Sequence, residues 1–397
     1  MDPTTPPAVS PLTAEFDRVV AAMLGLAIGD ALGAPIVGWP PDRIVERLGV
    51  VDRYPDLDRL PGLYTARTQQ ALAVLDTLLE EGSLDPLGLA ARLVQLSKQL
   101  HQKWPIYGAY RDASRGFREA VDRLAAGVPW DRAGSLSAAN DPAVRVAPLA
   151  LWSRDHRVVM FRDDVVHSAL PTHRDPRAVA GAMAVGYALV HLVNLPSAGR
   201  FDPRGFLHEV TEFTASAEAY IARSFWPADS RLPRDAAHDL SSVLKRTDSW
   251  LGSTLPTALD SITRAARPLG DGKVRGNSAF VAASVPTALL VFSREAAHPR
   301  QAVIDALNIG GDTAGIGAMV GAMVGALHGT HAFPAEWRNE LQNVEALRAR
   351  AIALAEGTGL PAEAPRLPRM EAALTELEMP RLRERRHVER KEDADDH

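Results

Sequence analysis

The stretch GGDTAGIGAMVGAMVGALHG, residues 310–329, decides the fold class of this chain. Behind two glycines, Asp312 and Thr313 it holds only small or apolar residues as far as His328. Glycines recur at 317, 321, 325 and 329, a four-residue spacing that stacks them on one face of a helix. A helix that is apolar all round is buried, and a glycine stripe lets a second backbone come close. The stretch therefore predicts a core helix packed against another helix. Its apolar run, Ala314 to Leu327, is shorter than the ~20 residues a bilayer span needs, so no membrane association is expected.

Outward from this helix the helical pattern continues almost everywhere. EFDRVVAAMLGLAIGDALG (15–33) and TQQALAVLDTLLEEG (68–82) carry apolar residues at helical spacing, and Gly82 reads as a C-cap. DPRAVAGAMAVGYALVHLVNLP (175–196) reads as a buried helix that starts after Asp-Pro and stops at a proline. No convincing period-two strand is present; RVVMFRDDVV (157–166) is the one β-branched run that suggests extended structure. The fold class expected is all-α, a single large multi-helix domain over residues 14–360. Residues 1–13 read as a flexible N-terminal arm, and 361–397 as a charged C-terminal tail, disordered or a frayed helix. The polar, proline-broken segment 224–246 reads as a surface excursion.

Bulk properties exclude several function classes. The net charge of −5 over 397 residues argues against a nucleic-acid partner. The absence of cysteine excludes disulfides and thiolate chemistry. The acidic, proline-rich N-terminus lacks the pattern of a signal peptide, and a cytoplasmic location is expected.

Four segments combine glycine, Asp, Asn or Thr with a helix start: 27–39, 62–72, 135–151 with 170–176, and 308–322. Loops that feed helix N-termini offer free amides to anions. The plain alternative is capping, for which Thr65 and Asp312 are suited and which contributes about 1 kcal/mol.

Taken in order, these segments resemble the ADP-ribosylglycohydrolase family. The resemblance rests on Gly29-Asp30-Ala31-Leu32-Gly33-Ala34-Pro35, Tyr64-Thr65 with Thr68-Gln69, Asn140 with Arg145-Val146-Ala147-Pro148, Thr172-His173 with Pro176, and Gly310-Gly311-Asp312-Thr313. It spans roughly residues 18 to 355 and implies an all-α fold. It also implies two Mg²⁺ or Mn²⁺ ions that assist cleavage of a glycosidic bond at a ribose anomeric carbon. The implied ligands are a Glu in the first motif, Thr-Asp-Asp in the second and Asp-x-Asp-Thr in the last. Here the Glu position is Val37, the Asp pair is Ala66-Arg67, and the last set reads Asp312, Ala314, Gly315. One of five carboxylates remains, and Arg67 brings a permanent cation to the site. The guanidinium either pairs with Asp312 or turns to solvent.

The leading expectation is a protein of this fold that has lost the binuclear metal site, and with it the hydrolase activity, so no cofactor is assigned. Its cleft would keep a nucleotide-like, ADP-ribose-like or other anionic small molecule. The resemblance implies that Ser135, Asn140, Arg145, His173, Gly276 and Asn277 line or support that cleft, together with Thr65, Thr68, Gly311 and Thr313. The family's glycine after Asn140 is Asp141, which puts close backbone approach there in question. A second reading is a metal-independent enzyme with Arg67 as anion clamp and Asp312, Asp30 or His173 as acid or base. A third is a regulatory or scaffolding role carried by the tail or by 224–246. Whether the chain is an enzyme, and its oligomeric state, are left open.

Overall fold

Close backbone contact between two helices organises the molecule. The computed structural model describes residues 14–57, 59–98, 108–155 and 158–395. Helix Thr313–His328 runs antiparallel to helix Ala14–Gly33, with Gly317 against Gly29, Gly321 against Gly25 and Gly325 against Ala21. A methyl group added at Gly29 would sit 2.0 Å from the Gly317 carbonyl oxygen, and one added at Gly321 would sit 2.0 Å from that of Gly25. The expected glycine stripe is thus answered by a second stripe, Gly25, Gly29 and Gly33, in the first helix. This pairing sets the end of the first helix, Gly33, against Thr313 at the start of the other, and Asp30 and Asp312 both act on the charge of Arg67.

Around this pair pack helices Ala66–Glu81, Pro176–Val193, Val281–Arg294, Pro299–Asn308 and Val344–Glu356, and helix Pro203–Ser224 packs in turn on Pro176–Val193. Among the described residues there is no strand, only two isolated bridges, so the all-α expectation holds. Gly82 ends its helix at φ 71° with its amide on Leu78 O. Two helices, Ala14–Ile36 and Pro176–Val193, are long and apolar enough to cross a bilayer, but 94% and 78% of those spans are buried within the protein.

Three expectations need correction or narrowing. Val158–Ala169 is helix rather than extended, because Phe161, Val165, Val166 and Ala169 all turn inward at helical spacing and tertiary packing overrides β-propensity. The excursion is shorter than 224–246: Asp239–Leu244 is a helix that buries Leu240 and Leu244. The boundary at 360 also moves. Helix Leu367–Asp395 buries Leu367, Met370, Glu371, Leu374 and Glu378 against the body, a 3–4 residue stripe that the charged composition concealed. The arm expected over residues 1–13 lies outside the described residues.

Candidate functional site

Asp30 is the first surprise of the site. Its carboxylate is fully buried and accepts four hydrogen bonds from the start of helix Ala66–Glu81. Thr65 gives its amide (3.0 Å) and hydroxyl (2.7 Å), and Thr68 its amide (3.1 Å) and hydroxyl (2.6 Å). Helix Ala66–Glu81 is therefore capped by an aspartate from another helix, as well as by Thr65, whose hydroxyl accepts from the Arg67 amide (3.2 Å). Burial raises the Asp30 pKa, against the Arg67 charge and the threonine bonds. Three of these bonds converge on Oδ2 and one on Oδ1, and with the side chain fully buried no face of Asp30 is open to a substrate. The expectation of an acid or base at Asp30, and of ligand contacts from Thr65 and Thr68, is corrected: the three form one structural cap.

Arg67 turns inward. Its Nη2 donates to Asp312 Oδ1, and Asn140 Nδ2 donates to Asp312 Oδ2 at 2.7 Å. Both partners of the ion pair are buried. Asp312 stands at the N-cap position of its helix but makes no capping bond with its side chain, so it is not the simple cap that its position suggests. Burial disfavours the Arg67 charge, yet Asp312, Asp141, Asp30 and Asp112 outweigh it and raise the guanidinium pKa. Gly315 makes room for this arrangement: a Cβ there would lie 2.2 Å from Asp312 Oδ2, 2.9 Å from Asn140 Nδ2 and 3.0 Å from Arg67 Nε.

Behind the pair runs a second buried network. Arg145 donates to Gln70 Oε1 (2.7 Å) and to the carbonyls of Ser168 and Ala169 (2.8 and 3.2 Å). Gln70 Nε2 donates to Asp141 Oδ1 (3.1 Å), and His173 Nε2 lies 3.5 Å from Asp141 Oδ2. His173 Nδ1 meets the Thr172 hydroxyl at 2.9 Å. Burial pushes the Asp141 pKa up, but hydrogen bonding and charge from His173, with Arg67 and Gln70, hold it well below the usual carboxylate range. Burial lowers Arg145 to about 10, partly offset by Asp141.

Arg67, Asp141 and Asp312 line an open cleft of about 580 Å³, with the rest of this network behind it. Val37, Trp39, Pro40 and Pro41 make one wall, Lys273, Arg275 and Asn277 another, and Arg67, Asp112, Asp141 and Asp312 reach the interior. Trp39 is backed by the Arg43 guanidinium, 4.1 Å from its ring centre. Gly311 knits the two walls. It adopts φ 71°, exchanges backbone bonds with Gly38 and Trp39, and has no space for a Cβ, which would lie 2.2 Å from Asn277 O.

The structure thus brings Arg67, Asp312, Asn277 and Gly311 together at the cleft, with Asn140, Arg145 and His173 buried one layer behind. Three expected ligand residues are elsewhere in the architecture. Ser135 ties its amide and hydroxyl to Thr172 O, Gly276 is held by Thr263 and Thr287, and the Thr313 hydroxyl bonds Gly33 O. Each is consumed by a loop or helix contact, and none lines the cleft. Sequence reading missed Trp39, Gln70, Asp112, Lys273 and Arg275 as site residues. It noted Asp141 only as a misplaced glycine.

Comparison with known proteins agrees with this architecture. The family model described as ADP-ribosylglycohydrolase matches residues 11–364. A protein of Escherichia coli named YegU is 28% identical over 359 residues, covering 83% of this chain and 93% of its own. An ADP-ribosylarginine hydrolase of Serratia proteamaculans is 28% identical over 192 residues, 48% of this chain and 51% of its own. An ADP-ribosyl-[dinitrogen reductase] glycohydrolase of Rhodospirillum rubrum is 27% identical over 180 residues, 45% and 58% of the two chains. A solved structure titled ADP-ribosylglycohydrolase-related protein complex superposes with a TM-score of 0.58 at 24% identity, covering 87% of this chain and all of its own, which speaks to the fold alone.

Proposed function

This chain belongs to the ADP-ribosylglycohydrolase family, and from that premise we propose that its cleft has exchanged metal-assisted glycosidic hydrolysis for metal-free binding of an anionic, nucleotide-like molecule. The observation that carries this reading is the buried Arg67–Asp312 ion pair. The one carboxylate remaining from the expected ligand set is neutralised by an internal cation. The hydroxyls of Thr65 and Thr68 are spent on Asp30. Val37, Ala66, Ala314 and Gly315 offer no side-chain oxygen. Mg²⁺ and Mn²⁺ need anionic oxygen donors, and a permanently charged guanidinium repels them. Among the described residues no group of three or more His, Asp or Glu is placed to hold a metal. The residues present do not fit a pair of divalent ions.

The cleft's own chemistry supports the ligand class. Lys273 and Arg275 are exposed at one wall and suit phosphate. Trp39 supplies a flat apolar face to the same cleft. The test is a thermal-shift and calorimetric screen of ADP-ribose, AMP, NAD, Mg²⁺ and Mn²⁺, with ADP-ribosylarginine hydrolysis followed in parallel. Stabilisation by a nucleotide that is unaffected by EDTA supports the reading. Stoichiometric Mg²⁺ or Mn²⁺ binding, or EDTA-sensitive hydrolysis, would sink it.

A second reading is favoured by Asp141, a cleft carboxylate held ionised and backed by His173 and Gln70. It is a metal-independent enzyme in which Asp141 acts on the substrate and Arg67 orients an anionic group. Chelator-insensitive turnover that disappears in Asp141→Asn would separate this from simple binding.

A further inference from the structure

The C-terminal helix Leu367–Asp395 begins beyond residue 364, where the family match ends, yet it inserts two fully buried carboxylates behind the cleft. Glu371 accepts from Tyr64 OH (2.8 Å), from Arg111 Nη1 (2.7 Å) and from Gln69 Nε2. Glu378 Oε2 lies 3.6 Å from Arg111 Nε. Arg111 is itself fully buried. Its carbonyl accepts the Ala66 amide at 2.8 Å, which fixes the helix start that presents Arg67.

The segment these carboxylates grip is an unusual one. Tyr110 and Asp112 both have positive φ, 59° and 53°, a region that side chains other than Gly, Asn and Asp seldom enter. Such a backbone persists only where its surroundings over-determine it. Here Gln69 Oε1 holds the Tyr110 amide, Glu371 and Glu378 hold the Arg111 side chain, and Arg59 holds Asp112 at 2.7 Å. Arg381 of the same helix donates to the Arg59 carbonyl at 3.4 Å. Asp112 and Ser114, at the end of this segment, line the cleft.

We propose that the C-terminal helix is the positioning element of the cleft: Glu371 and Glu378 clamp Arg111 and so set Asp112, Ser114 and Arg67 for ligand. This rests on the reading that the cleft takes an anionic ligand. The helix is not merely a lid on the core, because its carboxylates reach the one segment whose backbone conformation aims two cleft residues.

The experiment compares full-length Glu371→Gln and Glu378→Gln with Leu374→Ala, which loosens the same helix by packing alone. Backbone hydrogen exchange is followed at 64–70 and 108–114, and ADP-ribose is the calorimetric probe. Glu371→Gln and Glu378→Gln should speed exchange at 108–114 by about tenfold and weaken ADP-ribose by about fivefold. Leu374→Ala should leave both within about twofold while lowering Tm at least as much. Should Glu371→Gln fail to fold, Glu378→Gln and Arg111→Lys carry the comparison. The proposal is overturned if Leu374→Ala accelerates 108–114 as much as the glutamate variants do, or if those variants leave it unchanged. If wild type ignores ADP-ribose, the ligand reading fails, and the exchange arm still decides the clamp.

Discussion

Arg67 and Asp312 face each other across the starts of two helices, and the guanidinium lies where the acidic surroundings converge. Asp30, Asp112 and Asp141 also favour its charge. The pair is therefore one element of a larger balance, in which Arg67 shares with Arg59, Arg145 and His173 the task of offsetting several carboxylates. Loss of the arginine and loss of the aspartate should not be equivalent.

Arg67→Met is expected to destabilise by roughly 3–5 kcal/mol, because it leaves buried carboxylates uncompensated. Asp312→Asn keeps one oxygen to accept from Arg67, while its amide can donate to Asn140 Oδ1 once the Asn140 amide turns over, and it should cost less. The double variant should cost less than the sum of the two. Urea unfolding of all four proteins in a double-mutant cycle measures this. Additive losses would mean that the two side chains do not interact in solution.

Gly315→Thr restores the residue that the family resemblance implies at that position. In this chain it drives a Cβ to 2.2 Å from Asp312 Oδ2. A loss of about 1–3 kcal/mol is expected from overpacking. In an Asp312→Ala background most of that loss should vanish, since the obstructing oxygen is gone. A Gly315→Thr penalty of equal size in both backgrounds would place the clash elsewhere.

Gly29→Ala tests the helix pair that carries the site. Alanine is the better helix former by about 1 kcal/mol, so propensity alone predicts stabilisation. Its methyl group, however, would lie 2.0 Å from the backbone oxygen of Gly317, which no side-chain rotation relieves. Steric cost should win by several kcal/mol, read as a fall in Tm and in soluble yield. An unchanged or raised Tm would show that the two helices separate readily.

Legibility in the sequence followed the range of the interaction. The helices, the glycine stripe and the Thr65 cap are local patterns and could be read directly. The Arg67–Asp312 pairing was readable as one of two orientations, because the family resemblance places the two positions in one site. Asp30 was misread because its partners, Thr65 and Thr68, are 35 and 38 residues away, and nothing local distinguishes a capping aspartate from a reactive one. Asp141 looked like a defect in a glycine position until Gln70 and His173 surrounded it. The C-terminal helix was misjudged for a compositional reason. Its charge density resembles a solvated tail, and only the spacing of Met370, Glu371, Leu374 and Glu378 marks the buried face.

Glu218 supplies a prediction about pH that is independent of the cleft. It is buried on helix Pro203–Ser224 and accepts the Leu240 and Ser241 amides at 2.8 and 3.3 Å. Burial raises its pKa to about 7, against those hydrogen bonds, and neighbouring Asp239 raises it further. In the unfolded chain an ordinary Glu titrates near 4.3. Between these values the folded state holds the proton and the unfolded state does not, so stability falls as pH rises. The contribution is fully present below about pH 4 and is lost by about pH 8, an effect on the order of 3 kcal/mol. Glu218→Gln cannot ionise and still offers one acceptor to the amides. Relative to wild type it should gain stability steadily between about pH 5 and 7.5. Urea midpoints measured across that range decide the matter: parallel pH profiles for the two proteins would mean that Glu218 is ionised in the folded state throughout.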